Sequence, residues 1–366
     1  MIEKAVNFIK NCNEKTAIVY DTDGDSIGSA VIIAKTIKRL FNYIPQAFPI
    51  NHVLFALDKG IFNEVNKRKI KNIIIVDISV DEEPEYILNI AKKAKILILD
   101  HHQIHKDMNK FNNILHVNPH FWDSKVEPFK YCVSKLTYDI CSKLLDIKDL
   151  AWLAGLGIIN DYCGEEWKDF LNKVYEKYPI LKQGKEPYSF DSNLGLINHI
   201  ITSGYYHSGI KGGKMAYEAC LEASSPLDLL EAKTPKAKIL KKFYDKVQIE
   251  INEIINNWKR YSEIYEDKKL VFLELKTKFS IQSPISTMLG IRNPNYTFII
   301  FKKKGDLIRI SLRREDGKIN CGRLAEIATK SLKNANGGGH VPAAGCHIMT
   351  KDLEKFKENV LRYLSI

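Results

Sequence analysis

Tyr20-Asp21-Thr22-Asp23-Gly24-Asp25-Ser26-Ile27-Gly28-Ser29 places three aspartates directly after a short apolar run, Thr16-Ala17-Ile18-Val19-Tyr20. The run reads as a buried strand, and Ala30–Ile37, which follows, as a helix packed on a sheet. Three carboxylates then stand at the C-terminal end of a first strand, where open α/β sheets hold their ligands. Alternate side chains of an extended segment point to one side, so Asp21, Asp23 and Asp25 face the same way and call for a compensating cation. Oxygen ligands favour a hard divalent ion such as Mg²⁺ or Mn²⁺. The competing reading is a polar turn in which Asp25 or Ser26 caps the helix. What lies elsewhere in the chain decides between them.

The pattern recurs twice. Asn72-Ile73-Ile74-Ile75-Val76 is a run of β-branched residues, as expected of a strand buried on both faces in a parallel sheet. It ends in Asp77. Lys95-Ile96-Leu97-Ile98-Leu99 ends in Asp100-His101-His102. Gly60–Lys71 and Glu82–Lys93 read as intervening helices, Asn42–Ile50 with its two prolines as an edge strand, and Ile114–Pro119 as a further strand. This alternation predicts right-handed βαβ crossovers.

Helices are expected over Cys132–Leu145 and Leu150–Cys163. Asp161, in the last turn of the second, is either a solvated helix end or a ligand at the edge of the core. Trp167–Ser224 reads as helices joined by polar loops. Ser225–Ile264 reads as a long helical stretch broken near Pro235, with apolar residues at helical spacing from Ile239 to Trp258. From Lys269 the texture changes to strands over Leu270–Leu275, Tyr296–Phe301 and Leu307–Leu312, a helix over Ser286–Gly290 and another over Arg323–Leu332. The chain then reaches Asn336-Gly337-Gly338-Gly339-His340, either a flexible turn or a phosphate cradle, with the following His-x-Pro-Ala-Ala-Gly favouring the cradle, before a last strand from Cys346.

With 366 residues, 42.0 kDa and 45% hydrophobic residues, the chain can bury two cores. No apolar run approaches the length of a membrane span, and Met1-Ile2-Glu3-Lys4 lacks the character of a signal peptide, so a cytoplasmic location is expected. Seven scattered cysteines without a Cys-x-x-Cys pair argue against a disulfide framework or zinc-thiolate site. The net charge of +11 fits either a lysine-rich surface or a polyanionic substrate.

Taken together, the Asp-x-Asp-x-Asp run, Asp77, Asp100-His101-His102, Asp161 and the distal Gly-Gly-Gly-His resemble the DHH phosphoesterase superfamily with its DHHA1 domain, and within it the RecJ-like exonucleases of the archaeal type without an OB module. The resemblance covers Thr16–Asp161 and Leu270–Ile348. It implies two divalent ions, Mn²⁺ or Mg²⁺, held by Asp21, Asp23, Asp25, Asp77, His101 and Asp161, with Asp77 as the bridging ligand. Asp100 is expected to orient His101, and His102 to face the substrate phosphate. Val19 stands where pyrophosphatases and small-oligonucleotide hydrolases of the superfamily carry a histidine, which favours the RecJ-like branch. In the second lobe, Ser311 and Arg313 lie on one face of a strand that resembles the family's Ser-x-Arg substrate strand. Gly337, Gly338 and Gly339 let backbone amides approach a phosphate. His340 adds a donor there or is a turn histidine.

The expected molecule is an α/β protein of two lobes: a DHH domain (1–164) with a mainly parallel sheet flanked by helices, a helical region and connector (165–265), and a smaller mixed-sheet DHHA1 domain (266–366). Its active site is expected in the cleft. The expected activity is exonucleolytic hydrolysis of single-stranded DNA, RNA or both by water activated between two metal ions. The rivals are a hydrolase of short oligonucleotides or cyclic dinucleotides and a replication or repair scaffold with weak or no nuclease activity. The resemblance also implies a helicase or replisome protein as partner.

Overall fold

The computed structural model of the chain describes residues 1–50 and 59–365. It forms two compact units, Met1–Tyr244 and Asp245–Ile366. The first begins α1 (Ile2–Lys10), β1 (Thr16–Tyr20), α2 (Gly24–Phe41), β2 (Gln46–Pro49), α3 (Lys59–Lys67), β3 (Asn72–Val76), α4 (Glu85–Ala91), β4 (Lys95–Leu99) and β5 (Ile114–Val117). The five strands make one parallel sheet in the order β2-β1-β3-β4-β5. Ile18, Tyr20, Ile74, Val76, Leu97 and Leu99 enter one core, which includes buried residues of α1 and α2. Ala17, Val19, Ile73, Ile75, Ile96 and Ile98 enter a second core with α3 and α4. Because both faces are covered, the strands can be apolar at every position instead of alternating.

Strand order reverses between β1 and β3, which is the point where open α/β sheets bind ligands beyond the carboxyl ends of their strands. Asp21 follows β1 and Asp77 follows β3. The turn expected over Asp21–Ser29 is shorter in the structure. α2 begins at Gly24, and Asp23, not Asp25 or Ser26, is its N-cap, accepting from the Ser26 amide at 2.9 Å.

The first unit continues with α5 (Val133–Ser142), α6 (Ala151–Asn160), α7 (Lys168–Lys177), α8 (Asn193–Ser208), α9 (Ile210–Glu222), α10 (Leu227–Leu230) and the start of α11 (Pro235–Asn257). Leu171, Ile197, Ile200, Ala216 and Leu240 carry these later helices into the same core as α2.

In the second unit, the helical run expected through Ile264 stops earlier. α11 ends at Asn257, and Ser262–Tyr265 is a strand, β6, antiparallel to β7 (Leu270–Glu274). The helical spacing of apolar residues ends at buried Trp258, and the four residues of β6 pair with the sheet instead. Then come α12 (Gln282–Arg292), β8 (Thr297–Lys304), β9 (Leu307–Arg313), α13 (Cys321–Thr329), β10 (Asn336–Gly339), β11 (Ala343–Met349) and α14 (Leu353–Tyr363). The sheet runs β10-β11-β9-β8-β7-β6 and is antiparallel except between β7 and β8. Ile308, Ile310 and Leu312 of β9 pack with α13 and α14. On the opposite face, Ser286 of α12 meets Ser311 at 3.0 Å between hydroxyl oxygens. Among the described residues, no helix is long and apolar enough to cross a membrane.

Candidate metal centre

Each strand end contributes what the local chain dictates. Asp77 sits past β3 at φ 58°, a left-handed conformation that aspartate tolerates better than most residues. Its amide donates to the Leu99 carbonyl at 2.9 Å, which ties it to the end of β4. Past that strand, His101 Nε2 lies 3.5 Å from Asp77 Oδ1 and 3.6 Å from Asp161 Oδ2. These three groups converge without bonding each other well. Neighbouring ligands in an octahedral shell of bonds about 2.1 Å long lie roughly 3 Å apart, so the spacing suits a shared cation. Asp161 Oδ2 is fully buried with no hydrogen-bond partner, a costly state for a carboxylate oxygen unless something positive fills the gap. This orphaned oxygen is the observation that fits a metal to the residues present.

Burial and then the neighbouring aspartates hold Asp77 and Asp161 well above the ordinary carboxylate range. Burial, followed by the charge of His102, pulls the His101 imidazole down and leaves it in the neutral form that ligates metals. His102 is the opposite case. Burial pushes it down too, but its Nδ1 lies 2.7 Å from Asp100 Oδ1, and that carboxylate lifts it to about 10. Burial likewise works against ionised Asp100, yet His102 outweighs it and holds the carboxyl at about 2. Asp100, expected behind His101, therefore pairs with His102 and makes it a fixed cation.

The Asp-x-Asp-x-Asp run divides in three. Asp25 is buried, and its two oxygens accept from the first amides of α5, Val133 at 2.7 Å and Ser134 at 2.8 Å. The partial positive charge of that helix end suits it. Asp25 also lies near Asp161 and Cys132. Burial pushes the Cys132 thiol well up, so this cluster offers oxygen and not thiolate. Asp23 accepts from Asn160 Nδ2 at 3.2 Å, and the same amide nitrogen donates to Asp161 Oδ1 at 2.9 Å. Asp21 accepts from its neighbour's amide, Thr22, at 2.6 Å and is half-buried. Asp21 and Asp23 belong to neither of the two ligand clusters among the described residues, Asp77–His101–His102 and Asp25–Cys132–Asp161.

Two supporting residues escape a reading of motifs. Ser26 Oγ donates to Asp77 Oδ2 at 2.7 Å, and Asn160 joins Asp23 to Asp161. The Asp-x-Asp-x-Asp-Ser sequence offered a signal for Ser26. Nothing in the sequence marks Asn160 beyond its place beside Asp161. Gly157 matters sterically: a Cβ there would lie 1.9 Å from Asp25 Oδ1 and 2.1 Å from Ser134 Oγ. Gly157→Ala is therefore expected to destabilise the first unit by about 3 kcal/mol, read as a lower denaturant midpoint. An unchanged midpoint would show that α5 and α6 can part freely.

In the second unit, Ser311 and Arg313 alternate with Ile310 and Leu312, which puts them together on the α12 face. Gly345 of β11 lies opposite Ser311, and Gly338 of β10 opposite Gly345. The glycine segment is thus an edge strand. Its glycines serve different ends. A Cβ on Gly337 would sit 2.7 Å from the Ala325 carbonyl of α13, and Gly339 has φ +149°, whereas Gly338 faces open space. His340 is exposed just beyond, its amide donating to the Ala343 carbonyl at 2.8 Å.

Sheet, switch point and acid-tipped strand ends define the class. Residues 15–158 match the DHH family, N-terminal domain, and residues 270–365 the DHHA1 domain. The chain belongs to the DHH/DHHA1 superfamily. No curated protein sequence matches it. Its fold is similar to that of RecJ from Thermus thermophilus in complex with Mn²⁺ (TM-score 0.72, 13% identity, 100% of this chain and 54% of that one). It is similar to exonuclease RecJ bound to manganese (0.71, 13%, 100% and 94%) and to CDC45 from Entamoeba histolytica (0.55, 11%, 100% and 99%). The chain spans about half the length of the Thermus protein. At these identities the likeness is one of fold.

Proposed function

We propose that this protein is a metal-dependent exonuclease that removes mononucleotides from single-stranded DNA, RNA or both. The convergence of Asp77, His101 and Asp161 around an orphaned carboxylate oxygen carries the reading. Asp23, Asp25, Asp77, His101 and Asp161 would hold two divalent ions, Mn²⁺ or Mg²⁺, with Asp21 at the rim. Such ions supply an activated water and neutralise charge on a phosphoryl group under attack. The remaining work belongs to the chain. Ser26 and Asn160 hold carboxylates in place, and Asp100 keeps His102 protonated at neutral pH, so that an imidazolium meets the substrate phosphate.

The second unit supports a polymeric anion as substrate. Ser311, Arg313 and His340 would surround the side-chain-free strip formed by Gly338 and Gly345, where backbone can approach a phosphate closely. The +11 net charge agrees. Similarity in fold to exonuclease RecJ supports the nuclease reading, and that to CDC45 makes a replisome protein the partner to test.

Gly338 gives this proposal a clean handle. Because a Cβ there meets nothing within 4 Å, Gly338→Ala is expected to leave Tm unchanged. Strand hydrolysis should fall about tenfold as a close phosphate contact is lost. Equal activity would remove the glycine strip from the substrate site. The function itself is tested with Mn²⁺ and end-labelled single strands from dinucleotides to long oligomers. Stepwise shortening of long strands supports the exonuclease, and the position of the label reports its polarity. Cleavage confined to the shortest strands would replace it with an oligonucleotide hydrolase, and no cleavage at any length with a scaffold.

A further inference from the structure

Asp161 closes α6 as its C-cap, and the next residue, Tyr162, turns the chain with φ +55°. Backbone bonds from Tyr162 N to Ile159 O (3.2 Å) and from Cys163 N to Ile158 O (3.1 Å) complete this helix ending. The left-handed position after a helix is ordinarily filled by glycine or asparagine, because a side chain is strained there. Here it holds a tyrosine that is 65% exposed. A strained backbone and an exposed ring are both unfavourable to the fold, and they coincide one residue from a carboxylate of the candidate centre.

The ring is nevertheless held. It packs on Phe190 with centroids 5.1 Å apart, and Phe190 in turn lies 5.0 Å from the His199 ring. Fixed aromatic faces of this kind are what unpaired nucleobases stack on, with little regard to base identity. Asn198, the residue before His199 in α8, donates to Asn160 Oδ1 at 3.5 Å, and Asn160 in turn donates to Asp161 Oδ1 at 2.9 Å, which ties the helix under this aromatic group to the carboxylate.

We propose that Tyr162 is a stacking platform for the base of the nucleotide whose phosphate is held at the Asp77–His101–Asp161 centre. The inference rests on the phosphodiesterase reading above and narrows its substrate to esters that carry an unpaired base. Tyr162 is a specificity residue in this account: it grips the base and takes no part in bond breaking. The purely architectural alternative is that its ring only anchors Phe190.

The test compares a single strand with the same strand made abasic at its terminal nucleotides, for wild type, Tyr162→Phe and Tyr162→Gly. Glycine removes the ring and relaxes the backbone at φ +55°, so that variant should fold at least as well as wild type. Binding is measured by fluorescence anisotropy with Ca²⁺, and hydrolysis with Mn²⁺. Wild type and Tyr162→Phe should prefer the base-bearing strand by on the order of ten- to a hundredfold. Tyr162→Gly should lose that preference through a higher Kd and KM, with the abasic strand bound and cut as before. An equal loss on both strands, or no loss, would overturn the proposal. If wild type cuts strands without regard to the terminal base, the stacking inference fails and the nuclease stands. If nothing is cut but base-bearing ends bind preferentially through Tyr162, the nuclease reading fails and the platform stands.

Discussion

Asp77→Asn is expected to abolish hydrolysis while making the metal-free protein more stable than wild type at about pH 8. The side chain is buried at φ 58°, and its Oδ2 receives the Ser26 hydroxyl at 2.7 Å. Asparagine matches its shape, tolerates the left-handed backbone and can still accept from Ser26. What the substitution removes is the negative charge, disfavoured first by burial and then by Asp23 and Asp25. Without metal the variant should therefore melt a few degrees higher, at about 2–4 °C per kcal/mol for a unit of this size. With Mn²⁺ it should lose at least about 4 kcal/mol of transition-state stabilisation, roughly a thousandfold in rate. Asp77→Ala distinguishes charge from strain. It leaves a buried hydroxyl unpaired and alanine in a left-handed turn, so it should melt below wild type in chelator. An active Asp77→Asn, or one less stable than wild type without metal, would contradict the role given to this carboxylate.

How far the site could be read from the sequence follows from what each part depends on. β1, β3 and β4 are apolar at almost every position because the sheet is covered on both faces, and the acids and histidines come immediately after them. Both features are local, so both were legible. The supports were not. Asn160 reaches Asp23 from 137 positions away, a proximity that only the packing of α6 on α2 creates. The choice of Asp100 between two adjacent histidines turns on ring orientation, which sequence does not carry. Asn336–Gly339 lacks any side-chain preference for a strand, yet it becomes one through backbone pairing with β11 and the close approach of α13. Tyr162 carries no signal in the sequence for a related reason. A tyrosine after an aspartate is unremarked until its backbone proves left-handed.

The second large effect is a pH-dependent response to metal. Asp77 and Asp161 have native values raised well above those of the unfolded chain, by burial first and neighbouring aspartates next, whereas unfolded aspartates titrate near ~3.9. Between the two values the folded state binds more protons than the unfolded one, so metal-free stability is fullest at or below the unfolded value and declines as pH rises through the raised native values. His102 acts in the same direction. Lifted to about 10 by Asp100 against its burial, it contributes stability that is complete below ~6.5 and lost as pH climbs towards its native value. Asp100, held at about 2, contributes stability above ~3.9 that is lost only as pH falls towards 2, so it leaves the neutral range untouched. His101, His116 and His199, pulled down by burial, act in the opposite direction, but only below ~6.5. Asp77, Asp161 and His102 act beyond it as well, so metal-free protein should melt lower at about pH 8 than at about pH 5.5. A divalent ion binds the ionised carboxylates and the neutral His101, so protons compete with it at the lower pH. At a hundredfold excess over Kd it adds about 2.7 kcal/mol, or roughly 5–10 °C, and this gain should appear at pH 8 and shrink at pH 5.5. Thermal unfolding in chelator and in Mn²⁺ at both values, with proton release followed by calorimetry in two buffers, measures each part. A gain of equal size at both pH values, or no proton release on binding, would mean that the ion does not enter among Asp77, His101 and Asp161. The orphaned oxygen of Asp161 would then need another partner.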